Sequence, residues 1–104
     1  MIVVTTETIA GRRIARTLGV VRGNTVRARD VSTDFMAFLK NLVGGEVVEY
    51  TEVIAQAREQ AMDRMIENAR ALGADGVVGV RFSTSYVTRG TAEIMAYGTA
   101  VVLE

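Results

Sequence analysis

Three carboxylates recur at every fourth position of the chain: Glu59, Asp63 and Glu67. Because side chains four residues apart lie on one face of a helix, these three would form a single acidic row. Carboxylate oxygens are the ligands that Ca²⁺ and Mg²⁺ prefer, and copies of the chain meeting around an axis would multiply the ligands. A solvated helix face explains the same spacing without any metal. The row is therefore a candidate cation site with a plain structural alternative.

Two further acids extend this candidate site. Glu46 directly follows Gly44-Gly45, and Glu49 lies one helical turn beyond it. Glycine N–H groups at the start of a helix can bind phosphate, but the carboxylate opposes an anion, and neither nucleotide-binding glycine pattern is present. We interpret the glycines as a joint between two helices, with Glu46 stabilised at a helix N-terminus. The candidate ligands for a divalent metal, contributed by adjacent copies, are Glu46, Glu49, Glu59, Asp63 and Glu67.

The charges of the chain are segregated although they cancel overall. Residues 1–29 hold six arginines and one glutamate, whereas residues 30–69 hold eight acids and three bases. Two oppositely charged stretches indicate self-complementary contact, within the fold or between copies. Arg12, Arg13 and Arg16 are the expected partners of the acidic row. The zero net charge and the few aromatic residues disfavour nucleic-acid binding.

The absence of histidine and cysteine limits the possible chemistry. It excludes a histidine general base, a thiolate nucleophile and a zinc site with nitrogen and sulfur ligands. Met62 and Met65 could bind a soft ion, but methionines at helical spacing usually fill a core. We therefore expect a protein that is not an enzyme, with no catalytic residues and no cofactor. The alternative is an enzyme that uses carboxylates at a subunit interface, with a small anionic substrate held by Arg81 or Arg22.

Two helices are predicted in the middle of the chain. Ser32 or Thr33 can cap the first, whose apolar residues follow three-to-four spacing up to residue 43. The second runs from Tyr50 to Leu72, with apolar residues at every third or fourth position, and ends before a glycine. At 1.5 Å per residue it would be about 34 Å long. A compact domain of this size has a radius of gyration of about 13 Å, so one subunit could hardly enclose the helix.

Strands are predicted on either side of the helices. A short run at 2–5 and an extended stretch from residue 14, bent at Gly23-Asn24, precede them. Alternation after the helices places five residues on one strand face: Val78, Val80, Phe82, Thr84 and Tyr86. A turn at 88–91 leads to a last strand at 92–103, whose apolar character predicts burial on both faces. The predicted class is α+β, with mostly antiparallel strands packed against a long helix in the order β-β-α-α-β-β.

Three glycines fall inside the predicted strands: Gly19, Gly79 and Gly98. Glycine weakens the interior of a strand unless another part of the structure approaches closely. We therefore expect a helix, or the backbone of a neighbouring copy, to press against the sheet at these positions.

The N-terminal stretch and the overall hydropathy bear on location. No stretch approaches the roughly 20 apolar residues of a membrane span. The N-terminus also lacks the basic start and continuous apolar run of a signal peptide. We expect one domain over residues 1–104, located in the cytoplasm and without a membrane partner.

Four runs of the sequence together resemble the YbjQ-like family, whose members are often labelled as heavy-metal-binding. They are LGVVRGNTVRARD (18–30), GGEVVEYTEVIAQAREQAMDRM (44–65), ARALGADGVVGVRF (69–82) and AYGTAVVL (96–103). The resemblance implies an α+β subunit that assembles into a homo-oligomeric ring of five, and it implies no established activity. We expect a binding or scaffolding role for this ring, with metal binding by carboxylates at subunit interfaces as the alternative. A soft-metal site would lack its usual ligands here, because the chain has no cysteine or histidine.

Overall fold

One helix packs against a mixed four-stranded sheet in the computed structural model, which describes residues 1–28, 48–88 and 90–104. The elements in chain order are β1 (Ile2–Val3), β2 (Ile14–Ala28), α1 (Val48–Ala71), β3 (Gly76–Thr88) and β4 (Thr91–Leu103). Across the sheet the order is β1-β3-β4-β2, where β1 is parallel to β3 and the other two pairings are antiparallel. The predicted α+β class is confirmed, and the described residues give the order β-β-α-β-β.

Only the second predicted helix lies within the described residues. It is α1, which begins at Val48 and ends at Ala71. The first predicted helix, up to residue 43, and the glycine joint at 44–46 lie outside the described residues. Leu72 was expected to extend the apolar stripe, but it lies beyond the helix end and is 52% exposed. No helix among the described residues is both long and apolar enough to cross a membrane.

The apolar stripe of α1 is enclosed by the sheet of its own chain. Its buried residues, each with no exposed surface, are Ala57, Ala61, Met65 and Ala69. The prediction that one subunit could hardly enclose this helix is wrong for the stripe. The reason is that the strands are as long as the helix: 24 helical residues span about 36 Å, and 13 strand residues span about 43 Å. Met65 fills the core, as helical spacing predicted.

Gly23 is the point of closest approach between helix and sheet. It lies inside β2 opposite Ala96, so the predicted bend at Gly23-Asn24 is wrong. A Cβ atom at this position would collide with the backbone oxygen of Ala61 and the backbone nitrogen of Met65. Glycine is therefore required at this position for the close packing of α1 on the strand, and not for a turn.

Two of the three glycines expected at close contacts instead occupy irregularities of the sheet. Gly19 has a φ of 119° and Gly79 a φ of 64°, and each lies at a register shift. Added Cβ atoms at these positions would meet nothing within 4 Å, so they permit bulges and not close packing. Gly98 does lie at a close contact, since a Cβ there would be 2.8 Å from Cγ1 of Val77. The contact is with the adjacent strand β3 and not, as was expected, with a helix or a neighbouring copy.

The bulge at Gly79 divides the predicted apolar face of β3. Val80 belongs to the core cluster under α1, whereas Val78 packs on the opposite face with Ile9 and Val101. The single face predicted for alternate residues from Val78 onward is therefore wrong at Val78, because the extra residue of a bulge reverses the alternation. From Val80 the alternation continues as predicted.

Burial of β4 on both faces is restricted to its C-terminal end. Its helix-side residues up to position 100 are buried: Ala92, Ile94, Ala96, Gly98 and Ala100. On the other face, Val101 and Leu103 are buried beside Ile9 of the N-terminal segment, but Glu93 and Tyr97 are only half-buried. The prediction of burial on both faces is thus confirmed near Leu103 and wrong over the first half of the strand.

The two outer edges of the sheet differ in how their backbone groups are used. On β2, the side chains of α1 bind outward carbonyl oxygens: Nη1 of Arg64 donates to Asn24 at 2.5 Å, and Nδ2 of Asn68 donates to Arg22 at 2.7 Å. On β3, the N-terminal segment accompanies the strand as far as Val80. Within the described residues, no strand pairs with the outer edge of β3 beyond that point.

Candidate functional site: a charged cleft beside the helix

A cleft of about 450 Å³ lies between α1 and the end of β2. The residues lining this charged cleft are Arg27, Ala55, Gln56, Glu59, Gln60 and Asp63. Arg27 reaches it because alternation along β2 puts residues 23, 25 and 27 on the face that α1 covers. The other five residues lie on the flank of α1 next to its buried stripe, at helical spacing. The cleft is open to solvent, and Ala55, Gln56, Glu59 and Asp63 are exposed.

Arg27 is held in the charged cleft with part of its hydrogen-bonding capacity unused. Its Nη2 donates to Oε1 of Gln60 at 2.8 Å, whereas its Nε is buried and has no hydrogen-bond partner among the residues that the structure describes. Two residues earlier on the same face, Oγ1 of Thr25 is also unpartnered, and Thr25 is only 2% exposed. A buried polar group without a partner costs about 1–3 kcal/mol. Arg27 was not singled out from the sequence, although the two-residue alternation of β2 places it on the face that α1 covers.

The structure brings together two of the five predicted metal ligands. Glu59 and Asp63 both line the charged cleft. Glu67 lies on the next turn of α1, outside the cleft lining. Glu49 lies in the first turn of α1, and Glu46 lies outside the described residues. Among the residues that the structure describes, no three acids come close enough to hold a metal ion.

The N-terminal arginines contact the C-terminus and not the acidic row. Nε of Arg12 donates to the backbone oxygen of Glu104 at 3.1 Å, and Arg13 lies 3.5 Å from the Glu104 carboxylate. Arg16 lies opposite Val102 in the β2–β4 pairing. The predicted partnership is wrong because antiparallel pairing brings the start of β2 to the end of β4. The exposed pair of Arg13 and Glu104 contributes little stability.

The two arginines considered for an anionic substrate lie in one cross-strand row. Arg22 and Arg81 flank Tyr97 on the sheet face opposite α1. Nη1 of Arg81 donates to the carbonyl oxygens of Thr5 and Val80, each at 2.8 Å. This arginine therefore holds the N-terminal segment against β3.

Comparison with known proteins places this fold in a family. A family model described as "Putative heavy-metal-binding" matches residues 1–104. The chain belongs to the YbjQ family. It is 61% identical to a UPF0145 protein of Halorubrum lacusprofundi over 94% of each chain. It is 57% identical to a UPF0145 protein of Archaeoglobus fulgidus, over 99% of this chain and 95% of the relative.

A solved structure supports the same fold. The crystal structure of a Pediococcus pentosaceus protein of unknown function, from the DUF74 family, superposes with a TM-score of 0.71. The match covers 100% of this chain and 98% of the other, at 18% sequence identity. At that identity the comparison supports the fold alone.

The ligands of this YbjQ family member do not fit the soft metals that the family description suggests. Thiolates and imidazoles are the usual ligands of such ions, and the chain has neither cysteine nor histidine. In the charged cleft, Glu59 and Asp63 offer oxygen ligands only, beside the positive charge of Arg27. A hard cation takes about six to eight oxygen ligands, more than these two side chains supply.

Proposed function

We propose that this protein is a non-enzymatic binding or scaffolding protein that works as a homo-oligomeric ring, of five subunits as the family resemblance implies. The observation that carries the proposal is an uncovered strip on the helix side of β3, formed by Phe82, Thr84 and Tyr86. Phe82 is 44% exposed and Tyr86 is 73% exposed. We call these three residues the helix-side strip.

The helix-side strip is the part of an otherwise buried face that α1 does not reach. Phe82 pairs with Ala96, and Thr84 pairs with Ile94, so the strip continues the buried surface of β4. Adjoining aromatic surface and an unpaired strand edge are typical of a protein–protein contact. A second copy of the chain is the occupant that we propose.

The dimensions of the chain also favour a partner. Its Cα radius of gyration is 17.3 Å, and its principal extents are 55 × 23 × 16 Å. A compact domain of about 100 residues has a radius of gyration of about 13 Å. A chain this elongated leaves more surface uncovered than a compact monomer of equal mass.

The inequality of the two sheet edges favours a head-to-tail contact. The side chains of Arg64 and Asn68 donate hydrogen bonds to carbonyl groups on the β2 edge. The β3 edge beyond Val80, in contrast, has no strand partner among the described residues. A contact between unlike surfaces repeats around an axis and generates a closed ring when the rotation closes.

A matched pair of lysine substitutions tests the role of the helix-side strip. Tyr86→Lys introduces a charge into the strip, whereas Val20→Lys introduces one at a similarly exposed position, 66% exposed, on the opposite sheet face. We expect light scattering coupled to size-exclusion chromatography to give smaller particles for Tyr86→Lys, while Val20→Lys matches the wild type. Circular dichroism verifies that both variants are folded. Equal particle masses for the wild type and Tyr86→Lys would contradict the proposed contact.

Binding of a metal ion at a subunit interface is the second candidate function. Glu59 and Asp63 line one cleft, and the family description mentions metals. Titration calorimetry with Ca²⁺, Mg²⁺, Zn²⁺ and Cu²⁺ tests it. Heat that disappears in the Glu59→Gln/Asp63→Asn variant supports this candidate, and the absence of heat with all four ions rejects it.

A further inference from the structure

The two halves of α1 are held on the sheet unequally. We call residues 61–71 the anchored half, because three of its side chains are completely buried: Ala61, Met65 and Ala69. Met65 is among the largest fully buried side chains of the described residues. The side chains of Arg64 and Asn68 also donate hydrogen bonds to carbonyl oxygens of β2. Apolar packing and hydrogen bonds to the backbone therefore both fix this half.

The preceding residues of the helix, 53–60, have less to hold them, and we call them the free half. Among their described side chains, Ala57 is completely buried and Ile54 is partly buried against the core. A hydrogen bond of 2.8 Å joins Oε1 of Gln60 to Nη2 of Arg27. Because an alanine methyl group buries little apolar area, the free half gains less from packing than the anchored half does.

Two buried polar atoms without partners lie on β2 toward the free half. Gly23 lies against the backbone of Ala61, and four residues later Arg27 reaches α1 at Gln60. Thr25 lies between them on the same strand face. Oγ1 of Thr25 and Nε of Arg27 are buried and have no hydrogen-bond partner among the residues that the structure describes. Each unpartnered atom costs stability while the helix covers it, and water would satisfy both atoms if the free half moved away.

We infer that the free half of α1 opens as a flap while the anchored half stays packed on the sheet. Opening gives up the burial of Ala57 and part of Ile54, and it hydrates the polar atoms of Thr25 and Arg27. Gly23 marks the hinge, because the backbones of β2 and α1 are closest there. Local opening of this kind takes place in the parts of a protein that have few buried apolar contacts.

Opening of the free half enlarges the surface available for binding. On β4, the two residues opposite Thr25 and Arg27 are Ile94 and Ala92. These two residues also pair with Thr84 and Tyr86 of the helix-side strip. The floor beneath the flap is therefore continuous with the helix-side strip, and opening widens the strip from one strand to three. All these contacts lie within one chain, so the inference does not rest on the proposed ring.

Native-state hydrogen exchange of the full chain, followed amide by amide by NMR in low concentrations of denaturant, tests the flap. We expect the amides of residues 55–60 to exchange at least about tenfold faster than those of residues 66–70. Exchange at 55–60 should also depend little on denaturant, because a local opening exposes little surface. Exchange at 66–70 should follow global unfolding.

A matched pair of valine substitutions tests the role of the unpartnered hydroxyl. Thr25→Val replaces it by a methyl group of similar shape, so the closed form no longer buries an unpartnered polar atom there. We expect protection at 55–60 to rise about fivefold or more. Thr99→Val makes the same change on the sheet face opposite α1, where Thr99 is half-buried, and should leave protection at 55–60 within about twofold.

A third variant tests whether the two halves open separately. Asn68→Ala removes a hydrogen bond of the anchored half, so protection at 66–70 should fall about threefold or more. Protection at 55–60 should stay within about twofold, because that contact persists when only the flap opens. Circular dichroism verifies that each variant is folded.

Several results would overturn this inference. Equal protection at 55–60 and 66–70, with the same dependence on denaturant, would show that α1 opens as one unit. Thr25→Val that leaves protection at 55–60 unchanged, or lowers it, would show that the hydroxyl does not favour opening. A loss at 55–60 as large as that at 66–70 in Asn68→Ala would show that the two halves are coupled. None of these results depends on the number of subunits in the protein.

Discussion

Gly23 determines how closely α1 can approach the sheet. A methyl group at this position would overlap the helix backbone at Ala61 and Met65, which cannot move aside as a flexible side chain can. We predict that Gly23→Ala lowers the free energy of unfolding by about 2–3 kcal/mol, because the helix must shift away from its packed position. Denaturation at a fixed protein concentration measures the change.

The neighbouring Asn24 provides the control for this prediction. Its side chain lies on the sheet face opposite α1, next to Met95. Asn24→Ala removes a half-buried side chain on the face away from α1 and should therefore cost less than about 1 kcal/mol, well below the cost of Gly23→Ala. Equal stabilities for Gly23→Ala and the wild type would show that the helix is not seated on this glycine.

The roles of individual residues were the hardest feature of this structure to predict from the sequence. The pair Gly23-Asn24 has the composition of a turn, and only the position of α1 reveals that the glycine serves packing. Arg27 was counted as one charge among six arginines, because its burial depends on a helix more than 20 residues later in the chain. Contacts between distant residues leave no local pattern, so local spacing identified Glu59 and Asp63 but not their neighbour Arg27.

At the scale of elements, Asp75 connects the start of β3 to the end of β4. Its Oδ2 accepts from the backbone N–H of Leu103 at 2.9 Å, and its own N–H donates to Val101 at 2.9 Å. We predict that Asp75→Ala costs about 1.5–2 kcal/mol of stability, because it removes a hydrogen bond to a charged acceptor. Asp75→Asn retains an acceptor oxygen and should cost less than half as much in the same denaturation experiment. A loss from Asp75→Asn as large as that from Asp75→Ala would contradict this role of the hydrogen bond.

The side chains that bind the β2 edge should protect it from pairing with other chains. Replacing Arg64 and Asn68 together by alanine frees the carbonyl groups of Arg22 and Asn24. An exposed edge promotes aggregation, so we predict that light scattering begins at a lower temperature in this double variant. Arg70→Ala removes the same charge from the exposed last turn of α1 and serves as the control. Identical onset temperatures for the double variant and the control would contradict a protective role.

Elements with a strong period were predictable, and their irregularities were not. The three-to-four spacing located α1 to within two residues, and alternation identified β3 and the hairpin to β4. The bulge at Gly79 places Val78 on the face opposite to the predicted one. The prediction missed this because it assumed a constant period, which cannot reveal an inserted residue. The burial of β4 was overestimated. Most of its apolar residues are small ones that lie on the face under α1.

At the scale of the whole molecule, the apolar face of the sheet is longer than the helix side chains can cover. The helix-side strip remains exposed although it adjoins buried residues of β4. The length of the predicted helix and the apolar last strand indicated surplus apolar surface, but the stripe of the helix is in fact enclosed. The surplus lies on β3, and its position follows from the strand order of the sheet, which local patterns do not specify.

Native mass spectrometry of the wild-type protein, recorded at micromolar and then at submicromolar concentration, tests the central claim most directly. We predict a closed assembly of five chains that persists on dilution, because the proposed contact would cover the helix-side strip and the β3 edge beyond Val80, which has no strand partner among the described residues. A folded monomer as the main species at both concentrations would contradict the account.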